Sequence, residues 1–264
     1  MSDAAKSDLH DRYFVSGLHR GLAMLEVFGR LARPLSTSEV ARELGISRSA
    51  AFRTVYTLAH MGFLEETEGG RAYRLGSRVL SLGFAYLSSQ SLVELARADL
   101  EALRDETGIS SHLAIRDGRD VLFLDCIQTR TGFLSNMNVG ARRPAHGSPM
   151  GWLMLADLDE DELGTLYDGQ ALARLTRLTP TTLPALRRAI DRAIRDGYVM
   201  SHGIAEAGGQ SVSAPVRDRG GRVVAAIDIS GPVSAFDPAR PEQDYIDRTR
   251  EAARRISAKL GHAG

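Results

Sequence analysis

The sequence predicts an α+β protein in two parts. A small helical head with a short β-hairpin is followed by an apolar helix and then by a larger mixed α/β domain, whose sheet has roughly six antiparallel strands. Three observations carry this prediction. Two short helical stretches meet at Gly45 within Thr37–Leu58. The segment Ser77–Ser88 is apolar almost all round. The second half alternates apolar and polar residues in runs joined by Asp117-Gly118 and Gly220-Gly221, pairs that suit tight antiparallel turns.

Composition bounds the possibilities. The chain has 264 residues, 43% hydrophobic and 25% charged, which is ordinary for a globular protein and enough for one large domain or two average ones. The formal net charge is +0, so the chain is no polycation and any contact with nucleic acid must rest on a local basic patch. Residues 11–80 hold ten Arg against seven Asp plus Glu, with the acids Glu65, Glu66 and Glu68 clustered away from the second helix of the pair. The single cysteine, Cys126, excludes an internal disulfide and fits a reducing compartment. There is no 18-residue apolar run and no secretory leader pattern, so a cytoplasmic protein with no membrane partner is expected.

In chain order, residues 1–12 are small and polar without periodicity and are expected to be a disordered tail. Ser16–Gly29 reads as a helix with Leu18, Leu22, Leu25 and Phe28 on one side, the third helix of a small core. In the next helix Val40, Ala41 and Leu44 share a face. Gly45 makes the turn where a side chain would force strain, and Ser47 caps the second helix. There Ala51, Val55 and Leu58 face inward, leaving Arg48, Ser49, Ala50, Phe52, Arg53 and Tyr56 outward. Guanidinium groups beside small side chains can approach phosphates and base edges, which makes this a helix-turn-helix pattern, although an ordinary helical hairpin has the same periodicity. Gly62–Glu66 and Arg71–Leu75 read as two strands around Glu68-Gly69-Gly70, a wing whose Arg71 and Arg74 either reach flanking phosphates or lie on a solvated edge. The head thus runs over 13–76 and the linker helix over 77–90. The apolar load of that helix (Val79, Leu80, Leu82, Phe84, Tyr86, Leu87) calls for burial, against the following domain or against the same helix of a second subunit, as in a dimer reading a DNA site.

The remaining domain, 91–264, opens with an amphipathic helix from Ser91 to Gly108. Strands are expected at Ser110–Arg116, Val121–Gln128 and Phe133–Val139. Arg142–Pro149 reads as a loop because of its prolines and glycine. Helices follow at Met150–Leu158, Glu160–Tyr167 and Thr182–Asp196, the last stopped by Gly197, then strands at Tyr198–His202, Ser211–Arg217 and Arg222–Ser230, and a last helix at Glu242–Leu260.

Taken together, SGLHRGLAMLEVF, LSTSEVARELGISRSAAFRTVYTL, YRLGSRVLSLG, RRPAHGSPMGWLMLA, GYVMSHG and SVSAPVRDRGGRVVAAIDISGP occur in an order and at a spacing that resemble the IclR family of bacterial transcriptional regulators. The resemblance covers nearly all the chain beyond the tail. It implies a winged helix-turn-helix, a linker helix and a GAF-like effector-binding domain, in a homodimer or homotetramer that binds double-stranded operator DNA and a small organic, often aromatic, acid. It also implies control of a catabolic operon as activator or repressor. The residues expected at DNA are Ser36, Thr37, Ser47, Arg48, Ser49, Ala50, Phe52, Arg53, Tyr56, Arg71 and Arg74. Carried over by motif, the effector positions are Arg143, Pro149, Met150, Ser201, Ser211, Asp228 and Ser230, with His146 in the same loop able to donate to an anion. Pro149-Met150 stands where the family pattern is Gly- or Ala-rich, Asp228 where a small polar residue is usual and Arg143 where an apolar one is. If both charges face the cavity, they either pair with each other or grip a ligand bearing a carboxylate and a donor group; a surface or structural salt bridge is the alternative reading.

Other chemistry is thin. Cys126, in the apolar run VLFLDCIQT, reads as a core residue because no base adjoins it in sequence, and Trp152 likewise reads as core. His112, His146 and His202 show no metal-ligand spacing, no phosphate-binding glycine motif occurs, and Gly208-Gly209 is a plain loop, so no metal, cofactor or catalytic residue is assigned. Two alternatives stay open at this point: a small-acid hydrolase and a sensor module that binds a partner protein.

Overall fold

The structure, a computed structural model, describes residues 13–67, 69–89, 91–130 and 137–263, and leaves the side chains of 84–89 and 91 undescribed. The expected tail, Glu68 of the wing turn, the side chains of Phe84, Tyr86 and Leu87, and most of the expected strand Phe133–Val139 lie outside the described residues. The chain forms two compact units, one ending at Ser89 and the other beginning at Gln90.

The first unit runs α1 (Ser16–Leu31), α2 (Thr37–Glu43), α3 (Arg48–His60), β1 (Leu64–Glu66), β2 (Tyr73–Leu75) and α4 (Arg78–Ser89). Ser36 begins α2 with a capping box: its hydroxyl accepts from the Glu39 N–H, and the Glu39 carboxylate accepts from the Ser36 N–H at 2.8 Å. The Ser36 backbone bond, then its hydroxyl and Arg33, pull the Glu39 carboxyl down to about 2. Gly45 turns the chain at φ 62°, in the left-handed region, and Ser47 caps α3. Met24, Val27 and Phe28 of α1 pack on Val40, Val55, Leu58 and Leu64. Leu35 pairs with Tyr73 through two backbone hydrogen bonds of 2.9 Å and ties the wing to the helices.

One expectation is corrected here. Leu18 and Leu22 are not core: they stand 62% and 55% exposed, and with Leu25, Met61, Phe63 and Leu82 they line an apolar groove of about 610 Å³. Of the expected stripe, Phe28 is core and Leu25 packs against it, but the face the head folds around is rotated toward Met24 and Val27, which leaves Leu18 and Leu22 outside.

The second unit runs α5 (Ser91–Thr107), β3 (Ser111–Asp117), β4 (Asp120–Ile127), β5 (Arg142–Pro144), a 3₁₀ turn (Ala145–Gly147), α6 (Pro149–Met154), α7 (Glu160–Tyr167), α8 (Leu183–Asp196), β6 (Val199–His202), β7 (Gly209–Arg217), β8 (Val223–Pro232), a second 3₁₀ turn (Val233–Ala235) and α9 (Glu242–Lys259). The six strands form one antiparallel sheet in the order β5-β4-β3-β8-β7-β6. α5 and α9 pack on one face, α6 and α8 on the other. The signals at the ends of α8 are borne out: Thr182 accepts from the Ala185 N–H, and Gly197 closes the helix at φ 71°.

Two strand assignments are corrected. Arg142–Pro144 is not loop but the edge strand β5, paired with Asp120–Leu122. Proline is tolerated there because an edge strand has one side with no partner to donate to. Met137–Val139, the described end of the expected third strand, is not extended pairing but leads into a turn at Val139-Gly140. Gly151 in α6 is required by packing: a Cβ there would lie 2.2 Å from the Ala145 carbonyl oxygen.

Candidate nucleic-acid interface and ligand cavity

On α3 the turn of the helix puts Ala51, Val55 and Leu58 inward and exposes Arg48, Ser49, Phe52, Arg53 and Tyr56, with Ala50 half-buried. Among the described residues neither Arg48 nor Arg53 has an ion-pair partner, so two unneutralised guanidinium groups stand one and a half turns apart on one surface. Phe52 and Tyr56 are 57% and 65% exposed between them, and Tyr56 stacks on His60. Arg53 also borders the apolar groove beside α1. Ser36 and Ser47 hold helix caps, which fixes their backbone N–H groups at the two helix starts, and Thr37 opens α2. On the wing the two arginines differ. Arg74 is bonded to Glu65 at 3.2 Å, the residue directly across the hairpin, whereas Arg71 is exposed and has no ion pair among the described residues. Arg42, exposed at the end of α2 and not singled out by the sequence, adds another cation with no ion pair among the described residues.

The second unit holds a cavity of about 170 Å³ between the sheet, the start of α6 and the loop between β6 and β7. Seven positions expected from the motifs line it: Arg143, Pro149, Met150, Ser201, Ser211, Asp228 and Ser230. Register explains the meeting. Ser201, Ser211 and Ser230 stand in one row across β6, β7 and β8, and Asp228, two residues along β8, shares their face. The Ser201 and Ser211 hydroxyls lie 3.3 Å apart. Ser148, whose hydroxyl caps α6, and the loop Glu206–Gly209 complete the walls. Gly208-Gly209 marked a plain loop in the sequence but gave no sign of lining a cavity; its place is set by how β6 returns into β7.

His146 does not line the cavity. Its Nε2 donates to the Ala173 carbonyl at 2.9 Å, its own carbonyl accepts from Trp152 Nε1 at 2.7 Å, and its ring stands edge-on to Tyr167. It braces the turn before α6, and Trp152 is core.

The two charges do not pair with each other. Asp228, 6% exposed, is held by fully buried His112 on the neighbouring strand, with Nδ1 2.8 Å from Oδ1; the Ser230 hydroxyl lies 3.3 Å from the same nitrogen. His112, expected to be an ordinary strand residue, is thus the partner of the cavity carboxylate. The pairing His112↔Asp228 spans β3 and β8 and has no local signature. On β5, Arg142 pairs with Asp117 and Asp120, whereas half-buried Arg143 has no ion pair among the described residues and lines the cavity.

The register also sets Cys126 opposite His112, so Cys126, His112 and Asp228 form a row across three strands. The arrangement does not make a nucleophile. Burial, then Asp228 and Asp125, push the thiol up to about 12, so it stays protonated, and it does not line the cavity. The three histidines do not gather: His202 faces Glu242, and among the described residues no three His, Cys, Asp or Glu side chains approach closely enough to hold a metal ion. No described helix is long and apolar enough to cross a membrane.

Comparison with known proteins agrees with this organisation. Residues 17–68 match the IclR helix-turn-helix domain, and residues 84–258 match the domain described as bacterial transcriptional regulator IclR C-terminal. The Pca regulon regulatory protein of Pseudomonas putida is 30% identical over 251 residues, 95% of this chain and 86% of that protein. A Rhodococcus sp. RHA1 protein of known structure is 34% identical with a TM-score of 0.80, covering 94% of this chain and 98% of that one. An IclR homolog of Microbacterium hydrocarbonoxydans, solved in complex with 4-hydroxybenzoate, is 27% identical with a TM-score of 0.79 over 93% of this chain and 99% of that one. The named relatives are regulators rather than enzymes, which removes the hydrolase alternative. From the helix-turn-helix at one end to the six-stranded sheet at the other, this chain belongs to the IclR family of bacterial transcriptional regulators.

Proposed function

We propose that this regulator acts in the cytoplasm as a homodimer or a dimer of dimers, reads operator DNA of a catabolic operon with α3 and the wing, and answers to a small organic acid bound in the cavity of the second unit. The observation that carries the reading is the cavity itself. It is concave and largely apolar, and convergent hydroxyls and one cation with no ion pair among the described residues are suited to a carboxylate. The 4-hydroxybenzoate complex of a relative supports the acid class, and aromatic acids lead the candidates. Exposed Arg48 and Arg53 support phosphate or base contacts by α3, and the apolar groove bordered by Leu18, Leu22 and Leu82 supports burial against a second copy. Ligand binding would bias the two units between arrangements with different DNA affinity, by a coupling free energy reciprocal between the sites.

Fluorescence anisotropy with the duplex upstream of the coding region, titrated with and without carboxylic acids that raise the melting temperature, tests this. The expected result is salt-dependent, specific duplex binding whose affinity changes when an acid is present. An acid that binds tightly yet leaves DNA affinity unmoved would defeat the coupling.

A further inference from the structure

Asp228 is an unusual group to find in a cavity suited to acids, because a carboxylate repels the very ligand expected there. Its Oδ1 is already engaged by His112 Nδ1 at 2.8 Å. Its Oδ2 takes no hydrogen bond from any described residue, although the side chain is more than nine-tenths buried and Asp228 lines the cavity. That oxygen is not shut away from space, since Asp228 lines the cavity and is absent from the fully buried unpartnered atoms, so a ligand in the cavity can supply its donor. The Nδ1 contact fixes the histidine tautomer: with Nδ1 donating to Asp228, that nitrogen cannot accept from Ser230, so the Ser230 hydroxyl hydrogen is also available to a ligand. Arg143, on edge strand β5, supplies the opposite charge and has no ion pair among the described residues.

Resting on the organic-acid reading above, we propose that Asp228 is the specificity-determining residue of the cavity. It selects carboxylic acids that also carry an O–H or N–H donor, over bare acids of the same shape. The acid's carboxylate faces Arg143 and its donor group faces Asp228 Oδ2. His112 is a positioning residue that holds Oδ1 and thereby turns Oδ2 to the ligand. A bare acid fails twice, leaving Oδ2 without a donor and setting its apolar end against a charge. A bare acid turned end for end brings two carboxylates together.

The test is calorimetric titration of the full-length protein with matched sets: lactate and alanine against propionate, and 4-hydroxybenzoate and 4-aminobenzoate against benzoate. The hydroxyl and amine members separate the two sources of the donor. In at least one set a donor-bearing member is expected to bind roughly ten- to a hundredfold tighter than its bare parent. Asp228→Asn, which keeps the shape but removes the charge and adds a donor of its own, is expected to close that gap and admit the bare acid. Equal affinities for bare and donor-bearing acids in the unmodified protein would overturn the proposal, as would a gap that persists undiminished in D228N. Both results leave the organic-acid reading standing. Titrations without binding for every acid, in both proteins, would defeat that reading and the proposal with it.

Discussion

Replacing Arg53 by Ala gives the sharpest test of the DNA-reading surface, because Arg74 on the same unit supplies an internal control. Arg53 is exposed and has no ion pair among the described residues, so its loss removes a full positive charge from α3 without leaving a described carboxylate behind. If it contacts a phosphate, the slope of log K against log salt falls by about 0.9 for each copy that touches DNA. If it contacts a guanine edge instead, specific binding weakens by about 1–3 kcal/mol and base choice relaxes at one position. Arg74 is already bonded to Glu65 at 3.2 Å, with side chains 64% and 44% exposed, so its charge is largely neutralised and the pair itself is worth less than about 1 kcal/mol to the fold. R74A is therefore expected to change the salt slope by less than half as much as R53A. Anisotropy titrations between about 50 and 200 mM salt resolve these slopes. Arg53 also borders the apolar groove beside α1, so sedimentation of R53A at the same concentrations separates a lost DNA contact from a lost subunit contact, and R48A, away from that groove, repeats the measurement. Unchanged slope and affinity in both R48A and R53A, with a large drop in R74A, would refute the assignment of the DNA face to α3.

Two further perturbations test the fold that carries the cavity. Gly151→Ala would set a Cβ 2.2 Å from the Ala145 carbonyl oxygen and 2.6 Å from its Cα, backbone that cannot rotate aside, so a loss of about 3 kcal/mol is expected. Urea unfolding followed by the fluorescence of buried Trp152, the single tryptophan, measures it, and a loss below about 1 kcal/mol would mean that the turn before α6 is looser than described. Asp99 links α5 to α9: burial pushes its carboxyl up, but hydrogen bonds from Arg255 and Lys259, each 2.7 Å, outweigh it, and the carboxyl titrates below its ordinary value. A folded value below the unfolded one gives stability that is present above about pH 4 and is lost as pH falls through the folded value. Asp99→Asn is thus expected to cost about 1–2 kcal/mol at neutral pH, discounted for the half-exposed cations, with the difference shrinking in acid. A difference that is the same at pH 3 and pH 7 by thermal melting would sink this account.

The local pattern alone determined the elements whose causes are local. Gly45, Ser47 and the inward spacing of Ala51, Val55 and Leu58 made the helix-turn-helix legible, because caps, turns and helix faces depend on residues three or four apart. Thr182 and Gly197 marked both ends of α8 for the same reason. The order of six motifs along the chain was enough to name the family and to bring Arg143, Ser201, Ser211, Asp228 and Ser230 to one cavity. What only the tertiary structure decided has its cause in pairings between distant strands and helices. The rotation of the buried face of α1 toward Met24 and Val27 depends on which face α3 and the wing meet. β5 looks like a loop until β4 offers it an edge. The acid that Arg74 meets is set by the hairpin register, which places Glu65 across from it. His112 and Asp228 lie 116 positions apart, and strand alternation allows either to face either side. Register between strands fixes which side chains meet, and a chain read one residue after another does not contain it.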